Sequence, residues 1–238
     1  MRKIHINADS YLATSFVDFF FMVQSVLKTG LVLVFLGVCF CASAQDVSNE
    51  LEYRSELGLS YKFSKKVKVS FTPELRFDDS FDLDKYLFEG GLSYKLVDFL
   101  SLEGAYRYII NPRDKKETKY SHQFALAAEA EKEFGRFNTA FKIKYTNDSD
   151  DDSSDEKFLR YKLSADYDIP KCKLTPEISM EAYQQLGEDG EMYKMRFSAG
   201  ADYKLFKNNY LGLAYKLDYY YTKYLNKHIV ALGYKIKF

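Results

Sequence analysis

From about residue 51 to its last residue, the chain alternates apolar and polar side chains with a period of two, and it does so in long stretches. In "ELEYRSELGLSYKF", Leu51, Tyr53, Leu57, Leu59, Tyr61 and Phe63 share one parity, and Glu52, Arg54, Glu56, Gly58, Ser60 and Lys62 share the other. Period two is the signature of a strand with two unlike faces. The pattern recurs at about 67–77, 84–96, 99–111, 119–132, 136–147, 157–169, 173–185, 191–203, 209–221 and 227–238, which makes eleven segments in all. No helical periodicity rivals it.

The connections alternate in length. Short ones fall near Ser64–Lys66, Val97–Asp98, Phe134–Gly135, Pro170–Lys173 and Phe206–Asn209, and longer polar ones near Asp78–Asp84, Asn111–Lys119, Asn147–Glu156, Leu186–Glu191 and Thr222–Asn226. Strands joined by short turns are antiparallel hairpins. An unbroken series of hairpins is an up-and-down meander with tight turns at one end and loops at the other. Strands of about 12–13 residues, at about 3.3 Å per residue and a tilt near 40°, rise roughly 30 Å, the thickness of a bilayer core. The pattern therefore predicts an all-β, antiparallel up-and-down transmembrane β-barrel with short periplasmic turns and longer extracellular loops. Bacterial single-chain barrels usually have an even number of strands. Twelve strands is accordingly the first expectation and ten the second, with Gln45–Asn49 contributing a missed strand or one segment misread.

Alternation alone does not say which face points inward. With 21 Tyr, 20 Phe, no Trp and 29% charged residues, the chain is rich in both apolar and ionic groups, which must segregate. The polar parity carries many small residues, among them Gly58, Ser60, Gly91, Ser93, Gly200, Gly212, Ala214, Ala231 and Gly233, most of them nearer the short turns. A narrow lumen needs small side chains, whereas a wet exterior does not. Charged members of the same parity lie nearer the loops. Tyrosines gather toward strand ends (Tyr106, Tyr108, Tyr215, Tyr219, Tyr221, Tyr224), as amphipathic rings do at membrane interfaces.

The start of the chain reads as a leader. Lys28 precedes an apolar run at Leu31–Phe40, and Ala42-Ser43-Ala44 follows in the A-x-A pattern of a secretory cleavage site. Ten apolar residues are too few to cross a bilayer as a helix. The expected division is 1–44 as an N-terminal extension plus signal peptide, with Met22 the expected start and cleavage after Ala44, and 45–238 as the barrel. Cys39 and Cys41 fall in the leader, so only Cys172 survives processing and no disulfide can form within the chain.

The last strand, "KHIVALGYKIKF", puts Val230, Leu232, Tyr234, Ile236 and Phe238 on one face. It resembles the C-terminal assembly signal of bacterial outer-membrane β-barrels, in which a final Phe is read by the barrel-assembly machinery. With "PELRF" at Pro73–Phe77 and "GAYRYIIN" at Gly104–Asn111, the chain also resembles, over nearly all of 45–238, an uncharacterised Gram-negative outer-membrane family known as a domain of unknown function. The resemblance implies a barrel in the outer membrane, in contact with its lipid and lipopolysaccharide, and no established activity.

The candidate functional residues are the charges of the polar parity: Glu74, Arg76, Glu103, Arg107, Lys142, Lys144, Arg160, Arg196, Lys216 and Asp218. They form either a constriction that selects solutes or a network of ion pairs plugging the lumen. Buried charges need partners of opposite sign, and barrels of ten to twelve strands have little free interior, which favours the plug. Glu74 with Arg76, Glu103 with Arg107, and Arg160 with Asp166 are the expected groupings.

Other chemistries find little support. "NDSDDDSSDE" at Asn147–Glu156 opens like a calcium loop with Asp148, Asp150 and Asp152, but Ser153 and Leu159 stand where a Gly and a bidentate Glu are needed, so a solvated outer loop is expected and no metal or cofactor. His122 and His228 share parity with apolar neighbours and are expected to face lipid. Ser121 cannot form a dyad with His122, since adjacent strand residues face opposite sides. G-x-S-x-G is absent, and no enzyme is expected. Zero net charge argues against nucleic acid, and "KKETK" near Lys115–Lys119 is a charged loop. The expected function is that of a monomeric outer-membrane barrel, structural or a narrow passage for small solutes, with a charged and largely occluded lumen. The alternatives are an outer-membrane enzyme acting on lipid or peptide, and a soluble secreted β-protein.

Overall fold

In the computed structural model, residues 48–113, 117–147, 156–187, 190–221 and 225–238 are described. The leader segment, the start at Met22, Tyr224, the two lysines that open the "KKETK" stretch and nearly all of the acidic loop lie outside them. Eleven strands run in order: β1 (Ser48–Lys62), β2 (Val67–Phe77), β3 (Leu83–Val97), β4 (Leu100–Asn111), β5 (Lys119–Phe134), β6 (Phe137–Thr146), β7 (Lys157–Tyr167), β8 (Leu174–Leu186), β9 (Met192–Phe206), β10 (Asn209–Tyr220) and β11 (Leu225–Lys237). Each pairs antiparallel with the next, and β1 closes on β11 to complete a barrel.

The strand count corrects the expectation of twelve or ten. An even number follows only if the first and last strands must run in opposite directions. Here they run in the same direction. β1 and β11 pair in parallel from Ser48↔Leu225 to Ser60↔Lys237 without a break in register. Each of the eleven periodic segments is a strand among the described residues, and Ser48 and Asn49 belong to β1, while residues 45–47 lie outside the described residues.

Alternation decides the two surfaces. The apolar parity points outward: Leu126 is 67% exposed, Leu213 59%, Phe124 57% and Leu92 54%. The charged parity points inward: Lys194 and Asp218 are 0% exposed and Arg76 is 1%. The usual soluble arrangement is inverted. The tight turns sit at one end. Gly135 in the β5–β6 turn and Asn208 in the β9–β10 turn take positive φ (64° and 66°), the conformation that two-residue hairpins demand and that Gly and Asn adopt most readily.

One irregularity shapes the interior. Across β8 and β9 the register passes from Tyr183↔Lys194 to Gln184↔Met192, which leaves Tyr193 as an extra residue. Such a bulge puts two consecutive side chains on one face. Tyr193 (5% exposed) and Lys194 (0%) are accordingly both buried in the interior.

Candidate functional site

The interior has three zones. Nearest the long loops lies an aromatic cap of Phe158, Tyr183, Tyr193 and Tyr220, buried together and joined by Leu225. Phe158 and Tyr193 have ring centroids 5.2 Å apart, and Tyr193 meets Tyr220 edge-on at 5.4 Å. Periodicity already contained three of these positions. Phe158 shares the parity of Arg160, Tyr183 that of Glu181 and Tyr220 that of Asp218, so each had to point inward. Tyr193 carried no such signal, because its orientation comes from the bulge. Leu87, Ile109 and Ile229 also point inward and are buried.

Below the cap lies a layer of ion pairs. Asp218 accepts from Lys194 Nζ at 2.8 Å and from Arg196 Nε and Nη2 at 2.5 and 2.6 Å. Arg196 stands directly opposite Asp218 in register, so the fork meets the carboxylate squarely. Lys194 also sits over the rings of Tyr183 (4.6 Å) and Tyr220 (5.0 Å), and Arg160 over Tyr183 (4.3 Å). These ring faces, negative in their quadrupole, stabilise cations cut off from water. Glu74 accepts from Arg76 Nε at 2.5 Å, and Arg54 Nη1 lies 3.8 Å from the same carboxylate. Arg54 Nε also bonds Glu52. Residues two apart on a strand share a face, which lets these same-strand pairs form. Arg107 pairs with Glu89 at 2.6 Å, directly across β3 and β4. Lys216 reaches over β11 to Glu56 at 3.5 Å. Lys144 faces inward opposite Arg160 in register.

Two groupings expected from sequence do not form. Glu103 pairs with Lys142 (2.8 Å), which also holds Glu129 at 2.9 Å, rather than with Arg107. Arg160 pairs with Glu181 (2.9 Å) and not with Asp166. Glu103 and Arg107 are four residues apart on one strand, and Arg160 and Asp166 six apart. At about 3.3 Å per residue these separations exceed what side chains span, whereas cross-strand neighbours lie about 5 Å apart. Asp166 sits toward the tight turns, opposite Glu177.

Toward the short turns the lumen opens. Small side chains of β8–β11 and β1 leave a cavity of about 170 Å³ bounded by Glu56, Lys216, Ala214, Ala231, Gly212 and Gly233. A neighbouring space of about 220 Å³ lies against Gly58, Ser60 and Ser70, and one of about 510 Å³ lies at the mouth beside Lys62, Lys66, Lys68 and Lys95. Gly200 is required for this packing. A Cβ there would stand 2.7 Å from the Leu213 carbonyl oxygen and 2.8 Å from the Ala214 Cβ.

Both histidines of the barrel lie on the exterior, each beside a tyrosine of the neighbouring strand. Tyr106 Oη bonds His122 Nδ1 at 2.6 Å, and Tyr215 Oη bonds His228 Nδ1 at 2.5 Å. His228 Nε2 lies 3.2 Å from Asn49 Oδ1. Tyr108 and Tyr120 stack beside His122. Cys172 is exposed in the β7–β8 turn. Tyr234 and Ile236 face outward on β11, and Tyr234 Oη donates to Asn209 Oδ1 at 2.9 Å. Phe238 follows β11 and extends the seam, its N donating to Ser60 O at 2.8 Å.

Fold and interior together define a closed β-barrel with an apolar exterior, an ionic core and a cap at its loop end. The chain belongs to the family described as protein of unknown function DUF2490, whose profile matches residues 55–227. Among solved structures it is similar to a KdgM porin, at 15% identity and a TM-score of 0.44 over 70% of this chain and 89% of that one. It is similar also to the KdgM porin in complex with disordered oligogalacturonate, at 16% identity and a TM-score of 0.44 over 70% and 90%. No curated protein matches the sequence.

Proposed function

We propose that this protein is a Gram-negative outer-membrane β-barrel, with tight turns toward the periplasm, loops toward the outside, and a lumen closed at the loop end. It serves as a structural barrel or as a narrow passage for small solutes rather than as an open pore or an enzyme. The observation that carries this reading is the inversion of polarity: large apolar side chains cover the outside while Lys194, Asp218 and Arg76 are enclosed. In water an apolar surface of this extent would drive association. In hydrocarbon it is the stable arrangement, because a closed barrel leaves no backbone group unpaired. Strands of 10–16 residues suit an apolar band about 25 Å tall. The Tyr–His clusters then fall at the outer interface, where amphipathic rings are favoured. Lipid and lipopolysaccharide are the surroundings proposed, and the strand ending in Tyr234, Ile236 and Phe238 is the segment proposed to engage the barrel-assembly machinery.

Spin labels at the adjacent positions Leu213 and Ala214 test the orientation. In reconstituted vesicles the label at 213 should report lipid-soluble oxygen and the label at 214 a water-soluble relaxer. The reverse pattern would turn the barrel inside out and end the proposal. In planar bilayers the intact barrel should conduct weakly, since the cap and the ion-pair layer occupy its cross-section.

A further inference from the structure

Four charged side chains of the lumen wall stop short of closing on a partner. In the layer above, the pairs of Asp218, Glu74 and Glu181 close as hydrogen bonds of 2.5–2.9 Å. Toward the tight turns two pairs stay open. Lys216 Nζ lies 3.5 Å from Glu56, and Lys162 Nζ lies 3.7 Å from Glu177. None of the four makes a side-chain hydrogen bond among the described residues, and neither do the hydroxyls of Ser179 and Ser198. All six line the cavity of about 170 Å³. Their charged ends reach it: the Lys216 and Glu56 side chains are 21% and 28% exposed, and those of Lys162 and Glu177 36% and 45%. The other two charges of this wall, Asp202 and Lys235, close on each other at 2.8 Å.

The open groups stand on two sides of a low floor. Lys162 and Glu177 enter from β7 and β8, and Lys216 and Glu56 from β10 and β1. Between them Gly200, Ala214 and Gly233 carry too little side chain to fill the space. Through Gly200, Glu177 is level with Ala214, and Lys216 stands two residues further along β10. Strands two apart are separated by about 10 Å. A carboxylate and an ammonium thus flank the floor with room between them. Asp166, opposite Glu177 in register, adds negative charge to that side. A simple anion would satisfy the ammoniums and meet repulsion from the carboxylates, and a simple cation the reverse. A molecule that carries both signs satisfies both.

We propose that this cavity binds a small zwitterion of amino-acid size, its carboxylate toward Lys216 and its ammonium toward Glu177, with the Ser179 and Ser198 hydroxyls between them. A space of about 170 Å³ is that of about five waters, enough for such a molecule. It is entered from the tight-turn mouth. The inference names a class of solute for the lumen and rests on the barrel reading above.

The test is calorimetric titration of L-alanine into the purified full-length protein in neutral detergent, with folding verified by heat-modifiable gel mobility. The intact protein should bind L-alanine saturably. Propionate, which lacks the ammonium, and ethylamine, which lacks the carboxylate, should bind at least tenfold more weakly. Lys216→Met and Glu177→Gln should each weaken L-alanine binding at least tenfold. Gly233→Leu keeps every charge but occupies the space. A Cβ at 233 meets nothing within 4 Å, so this variant should fold and lose binding, which covers the case in which a charge variant does not fold. Lys95→Gln, at the mouth, should leave the affinity unchanged. Absence of saturable binding by the folded barrel would overturn the site and leave the barrel standing, whereas the reversed label pattern at 213 and 214 would remove the barrel itself. Propionate or ethylamine binding as tightly as L-alanine would also overturn the site. So would undiminished binding in Gly233→Leu, or equal weakening by Lys95→Gln and Lys216→Met, which would mean diffuse attraction to a charged lumen.

Discussion

Replacing Asp218 with Asn tests the ion-pair layer where it is most enclosed. The carboxylate is 0% exposed and compensates two cations, Lys194 (0%) and Arg196 (7%), through three contacts of 2.5–2.8 Å. Asn preserves the shape and one acceptor but removes the charge. Breaking a buried pair by neutralising one partner costs about 3–5 kcal/mol, because the other charge is left uncompensated. Two cations lose a charged contact here, which argues for the upper end. The rings of Tyr183 and Tyr220 remain under the Lys194 ammonium and return about 1 kcal/mol. A net cost of about 4 kcal/mol, with a urea slope near 3 kcal/mol per molar, lowers the unfolding midpoint by about 1.3 M. The assay is urea unfolding of the refolded barrel in micelles, followed by tyrosine fluorescence and gel mobility. The decisive companion is the triple variant Lys194→Met, Arg196→Met, Asp218→Leu. Removing the whole network in favour of apolar groups of similar volume is often neutral, so this variant should regain most of the loss. If Asp218→Asn unfolds at the midpoint of the intact protein, or the triple variant is worse than the single one, the layer is not electrostatically coupled as described.

Three further outcomes follow from particular contacts. Gly200→Val should cost about 3 kcal/mol or more and reduce folded barrel on gels, since its Cβ would meet backbone of β10, while Gly90→Val, with nothing within 4 Å of its Cβ, should fold normally. Thinning the cap with Phe158→Ala and Tyr183→Ala together should raise single-channel conductance severalfold in planar bilayers, and unchanged conductance would place the block in the ion-pair layer alone. Deleting Phe238 removes two hydrogen bonds of the seam, Phe238 N to Ser60 O at 2.8 Å and Lys62 N to Phe238 O at 3.3 Å, worth about 1 kcal/mol each, and should lower the amount recovered in outer membranes while secretion continues.

The legible part of this fold was whatever depends on one strand at a time. Period-two alternation separates Leu213 from Ala214 and Tyr215 from Lys216 without knowledge of any neighbour, so strand positions and the inward placement of Arg76, Arg196 and Asp218 could be read directly. Partners could not. Which carboxylate of β8 Arg160 meets depends on the stagger of β8 against β7, and stagger is a property of two strands and a turn. The same holds for Glu103, whose partner Lys142 lies two strands away. Tyr193 was hidden for a different reason. A bulge breaks the period that assigns faces, and no turn residue or glycine marks it in the sequence.

The odd strand number is compatible with complete backbone pairing. Counting periodic segments gives eleven, and nothing in hydrogen bonding forbids eleven, because a parallel pair satisfies backbone groups as an antiparallel one does, with only slightly weaker pairing per residue. The preference for even numbers comes from where termini usually lie. Here the seam pairs thirteen residues of β1 with thirteen of β11, so closure is complete despite the shared direction.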